Sequence, residues 1–163
     1  MAHKLEDQKK HFLESVMFKK ILVPIDVDRP IAAKAVYDGA AAIAKPFGAE
    51  IKLISVMPGF GMPIVGSFIS DRVRSEAIEH FRDELKSFVT ENCDESVTFH
   101  IRSGKHFEEV VKLAKKWEAD LIVVYHNRYR EINEVFSHTC AKHVYRDAPC
   151  SVLRLRNIRE NVV

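Results

Sequence analysis

The densest run of chemically capable side chains is YHNRYREINEVFSHTC, Tyr125 to Cys140. It offers the guanidinium groups of Arg128 and Arg130, the imidazoles of His126 and His138, and the hydroxyl of Thr139. Arginine forks match the oxygens of a phosphate. The run follows an apolar segment, ADLIVV, and leads into a helical pattern. In a parallel α/β protein such a strand-to-helix junction is where a phosphate is often held. Phosphate loops normally use glycine there, and this run contains none. Two readings follow from the residues. Either side chains make an anion site, or the loop is a solvated, charged one in which Glu131 and Glu134 pair with the bases.

Other chemistry finds less support. The eight histidines invite a metal site, but no HxxxH or HExxH spacing occurs. His126 and His138 are too far apart for a helical i, i+4 pair, so no metal is expected. Cys93, Cys140 and Cys150 include no CxxC pair, and their number is odd. That argues against a disulfide framework and for a reducing cytosol, with buried and inert thiols. There is no GxSxG elbow and no P-loop. Ser103-Gly104-Lys105 reads as a turn before a helix. No catalytic residue is assigned, and the balance leans away from an enzyme.

Bulk properties narrow the class. The chain has 163 residues, enough for one domain with a sizeable core. It is 47% hydrophobic and 29% charged, as in soluble globular proteins. With 25 basic and 23 acidic residues the net charge is +2, which makes no electrostatic case for nucleic acid. No segment reaches the roughly 18 consecutive apolar residues of a membrane span. Residues 1–16 are mostly polar and lack the apolar centre of a signal peptide. They read as a leader or native extension before a domain at 17–156, with 157–163 as a tail. Leu5, Phe12, Leu13 and Val16 would suit a short amphipathic helix.

The elements that must position the loop are legible from periodicity. KILVPID, Lys20 to Asp26, reads as a buried strand. Asp28 is placed to cap the next helix, with Pro30 in its first turn. The helix spans Ile31 to Ala44 and is ended by Pro46-Phe47-Gly48. Glu50 to Met57 is a second strand, followed by a loop rich in Gly and Pro, Pro58 to Gly66. Ser70 to Asn92 carries Val73, Ala77, Phe81, Leu85, Phe88 and Val89 at helical spacing. Val97 to Arg102 is a strand, and Phe107 to Trp117 a helix with Val110, Val111 and Ala114 inward. Leu121 to Val124, Ile132 to Tyr145 and Cys150 to Leu155 read as strand, helix and strand.

Strands alternating with helices imply right-handed crossovers, a mostly parallel five-stranded sheet and helices on both faces, a three-layer α/β sandwich. Ligands of such sheets lie beyond the carboxyl ends of the strands. That brings Asp26, the loop after Met57 and the Tyr125 loop together.

Four segments, KKILVPIDVD, IKLISVMPG, ADLIVV and HVYRDAPCSVLRLR, together resemble the universal stress protein family over roughly Met17 to Arg156. The resemblance implies the adenine nucleotide alpha hydrolase-like fold and a homodimer. Nucleotide binders of the family carry G-x2-G-x9-G-[ST] after the fourth strand. Counted back from Ala148-Pro149-Cys150, the glycine positions fall on Tyr125, Arg128 and His138, and the hydroxyl position on Thr139. All three glycines are replaced, so the usual ATP site is not expected. A left-handed backbone there would cost a non-glycine residue about 1 kcal/mol or more. Tyr125 or Tyr129 would either stack on a base or fill the space glycine leaves.

The resemblance places Asp26 where binders have an acid near ribose and base, and Val56 where a strand backbone meets adenine. Each also has a plain structural role, as a turn cap and as core. Two functions follow. The first is a dimeric, non-enzymatic regulatory module of the stress response, with an unidentified protein partner and no cofactor. The second is an ATP, ADP or AMP sensor, or a weak ATP-hydrolysing protein. There Asp26 and Val56 would hold the nucleoside, and Arg128, His138 and Thr139 the phosphates. The last strand, through Val152, Leu153 and Leu155, would pair the dimer, with Arg154 and Arg156 alternating outward.

Overall fold

The computed structural model describes residues 4–8, 18–58, 70–126 and 138–156, excluding the side chains at 58, 126 and 138–141. The domain contains five strands and four helices among the described residues, beside a helical stretch at residues 4–8. In chain order they are β1 (Lys20–Pro24), α1 (Pro30–Phe47), β2 (Glu50–Pro58), α2 (Asp71–Asn92), β3 (Thr98–Gly104), α3 (His106–Trp117), β4 (Leu121–His126), α4 (His138–Asp147) and β5 (Ser151–Arg156). The sheet order is β3-β2-β1-β4-β5, and every pairing is parallel.

Strand alternation divides the core in two. Ile21 and Val23 of β1, Ile51 and Leu53 of β2, and Leu121 and Val123 of β4 face one side. They meet Ala33, Val36, Tyr37, Ala40 and Ala44 of α1 and Leu85 and Phe88 of α2. Leu22, Ile54, Val56, Ile122 and Val124 face the other side, against Val110, Leu113 and Ala114 of α3 and Val144 of α4. Because side chains alternate along a strand, one short apolar run serves both layers. Ile21, Leu22 and Val23 are accordingly all fully buried.

Helix ends differ in detail from the sequence pattern. Asp28 does not cap α1. Arg29 occupies the N-cap without a side-chain bond, and proline opens the helix. The Asp28 N–H instead donates to Asp26 Oδ1 at 3.1 Å, an Asx turn that holds the end of β1. At the other end Gly48 is left-handed (φ 62°), and the Ala49 N–H returns to the Ala44 carbonyl at 3.0 Å. Ser70 caps α2 by accepting from the Val73 N–H. Only Leu85 and Phe88 of α2 are buried. Val73, expected inward, is 52% exposed, because the first turns of α2 make little contact with the sheet layer. Val110, Val111 and Ala114 of α3 are buried as their spacing predicts.

β5 also departs from expectation. Leu153 is exposed, but Val152 and Leu155 are half-buried, and so is Arg154. Val152 packs on the α3–α4 layer and Leu155 on the α1–α2 layer. The apolar side chains of this strand are therefore partly committed to their own chain.

Candidate functional site

The chain builds outward from β1 to β2 and β3, then returns to β4 on the other side of β1. In parallel sheets, ligands bind beyond the carboxyl ends of the strands at such a reversal. Asp26 lies just beyond β1, and Val56 lies near the end of β2. The two strands do not end together. β1 pairs with β2 only as far as Pro24 opposite Ile54, and the Ile25 N–H then donates to the Ile54 carbonyl at 2.9 Å. The Ser55 hydroxyl donates to the Ile25 carbonyl at 3.0 Å. Residues two apart on a strand point their main-chain groups the same way. The Val56 carbonyl therefore faces the β1 side of the sheet after β1 has stopped.

The imidazole of His106 lies close enough to the Val56 main chain for that carbonyl to favour its charged form. His106 is the first residue of α3. It is brought there because β3 lies next to β2, with Pro58 paired to Gly104. Burial lowers the His106 pKa below the usual histidine value, outweighing the Val56 carbonyl and the nearby Asp26 charge, which both raise it. The ring is therefore neutral at neutral pH. Burial likewise raises the Asp26 pKa. The Asp28 N–H opposes that rise, as do the charges of Arg29 and His106, while the charge of Asp28 adds to it. Asp26, Val56 and His106 thus form one constellation of a carboxyl, a main-chain carbonyl and an imidazole.

Sequence reasoning brought Asp26 and Val56 together and missed His106. Its only signal was position, directly after the Ser103-Gly104-Lys105 turn. His138 and Thr139 are the first residues of α4, but their side chains lie outside the described set, and Arg128 lies outside it altogether. Tyr125, at the first glycine position, continues β4 opposite Leu155 and packs against the α1–α2 core.

Other features sit elsewhere. Burial pushes the thiols of Cys93 and Cys150 up to about 11, so neither is a thiolate at neutral pH. Among the described residues no group of three His, Cys, Asp or Glu side chains could hold a metal ion. No described helix is long and apolar enough to cross a membrane. A cavity of about 490 Å³, lined by Ala41, Ala44, Gly48, Asp94 and Val97 among others, lies at the opposite end of the sheet.

A parallel α/β sandwich whose strand order reverses defines a class of proteins that present small ligands or surfaces at one sheet end. Within that class the chain belongs to the universal stress protein family, whose sequence profile matches residues 17–156. A universal stress protein of Methanocaldococcus jannaschii is 30% identical over 142 residues, covering 84% of this chain and 81% of that one. Among solved structures, the universal stress protein UspA of Lactobacillus plantarum superposes with a TM-score of 0.65 at 24% identity, covering 86% of this chain and 99% of that one. A universal stress protein of Archaeoglobus fulgidus, solved in complex with dAMP, gives a TM-score of 0.54 at 20% identity, covering 85% and 98%.

Proposed function

We propose that the protein is a non-enzymatic regulatory module of the cytoplasmic stress response that acts through protein contacts and does not use a glycine-built phosphate site. The observation that carries this reading is Tyr125. Where binders of the family have a bare glycine, its ring packs into the protein's own core. Burial keeps the thiols of Cys93 and Cys150 protonated at neutral pH, so these two are weak nucleophiles. The protein works as a homodimer joined along β5, an edge strand with Leu153 exposed. Unpaired edges invite pairing with another chain. Light scattering coupled to gel filtration tests the dimer, with Leu153→Lys expected to yield monomer. Mass spectrometry of the purified protein tests the rest. Stoichiometric ATP carried through purification overturns the reading.

A second reading is favoured by the constellation of Asp26, Val56 and His106. In it the nucleoside end of a nucleotide site persists, while Arg128, His138 and Thr139 serve the phosphates of ATP, ADP or AMP. The dAMP complex of the Archaeoglobus fulgidus relative supports it by kinship. Calorimetric titration of the three nucleotides with Mg²⁺ decides between the readings. Asp26→Ala and Arg128→Ala should each weaken binding, and unchanged affinity in both removes this arrangement.

A further inference from the structure

β3 is the outer strand beside β2, and no described strand pairs with its other edge. None of its seven residues is buried, whereas Ile21, Leu22 and Val23 of β1 are fully so. Phe99 and Ile101 face the α1–α2 core. His100 and Arg102 alternate with them, opposite Ile54 and Val56, and so face the α3 layer. Lys52 shares that face one pair down, opposite Thr98. Its ammonium stands 4.3 Å from the centroid of the Trp117 ring at the end of α3, and the Lys20 ammonium 5.8 Å from the same ring. Lys116 adjoins Trp117 and is exposed. One indole thus gathers cations from β1 and β2 beside the basic face of β3. The acid of β2 on this face, Glu50, lies opposite Lys20 at the start of the strand. Lys52, Arg102 and Lys116 form no ion pair among the described residues. After burial, the charges of these three hold the His100 pKa down.

An unpaired edge offers main-chain N–H and C=O groups to an extended chain, and side-chain charge decides which chain takes them. A second copy pairing antiparallel through β3 would set two Arg102 guanidinium groups on one face of the joined sheet, like charge beside like charge. An acidic strand meets the opposite case. Resting on the reading that the protein works through protein contacts, we infer that the β3 edge is a strand-addition site for an extended acidic segment of a partner protein. The segment's main chain continues the sheet, and its carboxylates meet Arg102, Lys52 and Lys116. Acids at every second position fit, because a strand presents alternate residues to one face.

The test uses the full chain, ¹⁵N-labelled and free of nucleotide, with a peptide of about ten residues that alternates glutamate and threonine. A peptide alternating lysine and threonine is the control. Only the acidic peptide should shift the β3 resonances and slow amide exchange along that strand. Its affinity should fall as salt rises. Arg102→Glu and Lys52→Glu, each verified as folded by circular dichroism, should bind it about tenfold more weakly. Lys34→Glu, on α1 in the other layer, should bind it as wild type does. If folded wild type binds no acidic peptide, or the two reversals bind it unchanged, the inference is wrong while the protein-contact reading stands. Binding without new protection in β3 means ionic adhesion alone and also overturns it. Concentration-dependent protection of β3 without peptide puts a second copy on the edge and overturns it too. Stoichiometric ATP carried through purification removes the protein-contact reading and takes the inference with it.

Discussion

Gly39 of α1 is seated directly against Leu155 of β5. A β-carbon at position 39 would collide with Leu155 Cδ1. Glycine in mid-helix costs about 1 kcal/mol relative to alanine, so the contact is what the glycine serves. Gly39→Ala should leave stability within about 1 kcal/mol of wild type, because helix propensity offsets the displaced leucine. Gly39→Phe, which Leu155 cannot evade by rotation, should cost about 1–3 kcal/mol. Urea denaturation measures both. If β5 joins two subunits, Gly39→Phe should also weaken the dimer.

Glu118 closes α3 in a left-handed conformation, with φ 56° and ψ 48°. It is the one non-glycine residue with positive φ among those described. The Ala119 N–H returns to the Ala114 carbonyl at 2.9 Å, so the cap geometry is fixed by the main chain. Glu118→Gly relieves the strain and should stabilise by about 0.5–1 kcal/mol. The Tm should rise by about 1–4 °C. An unchanged or lower Tm would show that the Glu118 side chain has a compensating role.

Asp120 ties the entry of β1 to the start of β4. Its Oδ2 accepts from the Lys19 N–H at 2.8 Å and the Lys20 N–H at 3.1 Å. Asp120→Ala should cost about 1–3 kcal/mol by leaving these donors without a carboxylate, and Asp120→Asn less. Equal losses would point to packing instead. Chemical denaturation of the two variants separates the cases.

Burial lowers the pKa of both His100 and His106 below the histidine value of 6.5. The unfolded chain therefore takes up protons first as pH falls. Stability from keeping these rings neutral is complete above about 6.5 and is lost as pH drops through their lower folded values. Thermal melts from pH 7.5 to 5 should show a falling Tm. His106→Phe should flatten that slope in part, leaving the share due to His100.

Asp26 runs the opposite way. Its carboxyl sits above the usual 3.8, chiefly from burial. Its ionisation costs stability once pH rises through the folded value. Asp26→Asn keeps an oxygen for the Asp28 N–H and removes the charge. It should raise the Tm at pH 7, with the advantage shrinking toward pH 4. A Tm that falls at pH 7 would mean that the attraction to Arg29 and His106 outweighs desolvation.

Much of the fold was legible because burial leaves periodic marks. The apolar run of KILVPID marked β1 as a buried strand, and helical spacing put Val110, Val111 and Ala114 against the sheet. Asp26 and Val56 could be brought together because topology alone places strand ends side by side. His106 could not. A lone histidine after a turn has no period, and it matters only because β2 outruns β1 while β3 lies beside β2. Val73 misled because helical spacing says which face is apolar, not whether anything covers it. The inward packing of Leu155 was not legible, because Gly39, the residue it is seated against, lies far away in sequence.

The unequal lengths of β1 and β2 leave a ledge of main chain at the carboxyl end of the sheet. Side chains can be exchanged at a mutation's notice, whereas a carbonyl belongs to every residue type. Substituting position 56 would alter what packs beneath the ledge and leave the ledge itself standing. To erase it, the chain would have to lengthen β1 or shorten β2, which needs an insertion or deletion within the sheet. A feature of that kind outlasts drift in the residues around it, so the Val56 carbonyl is the part of this site least able to disappear.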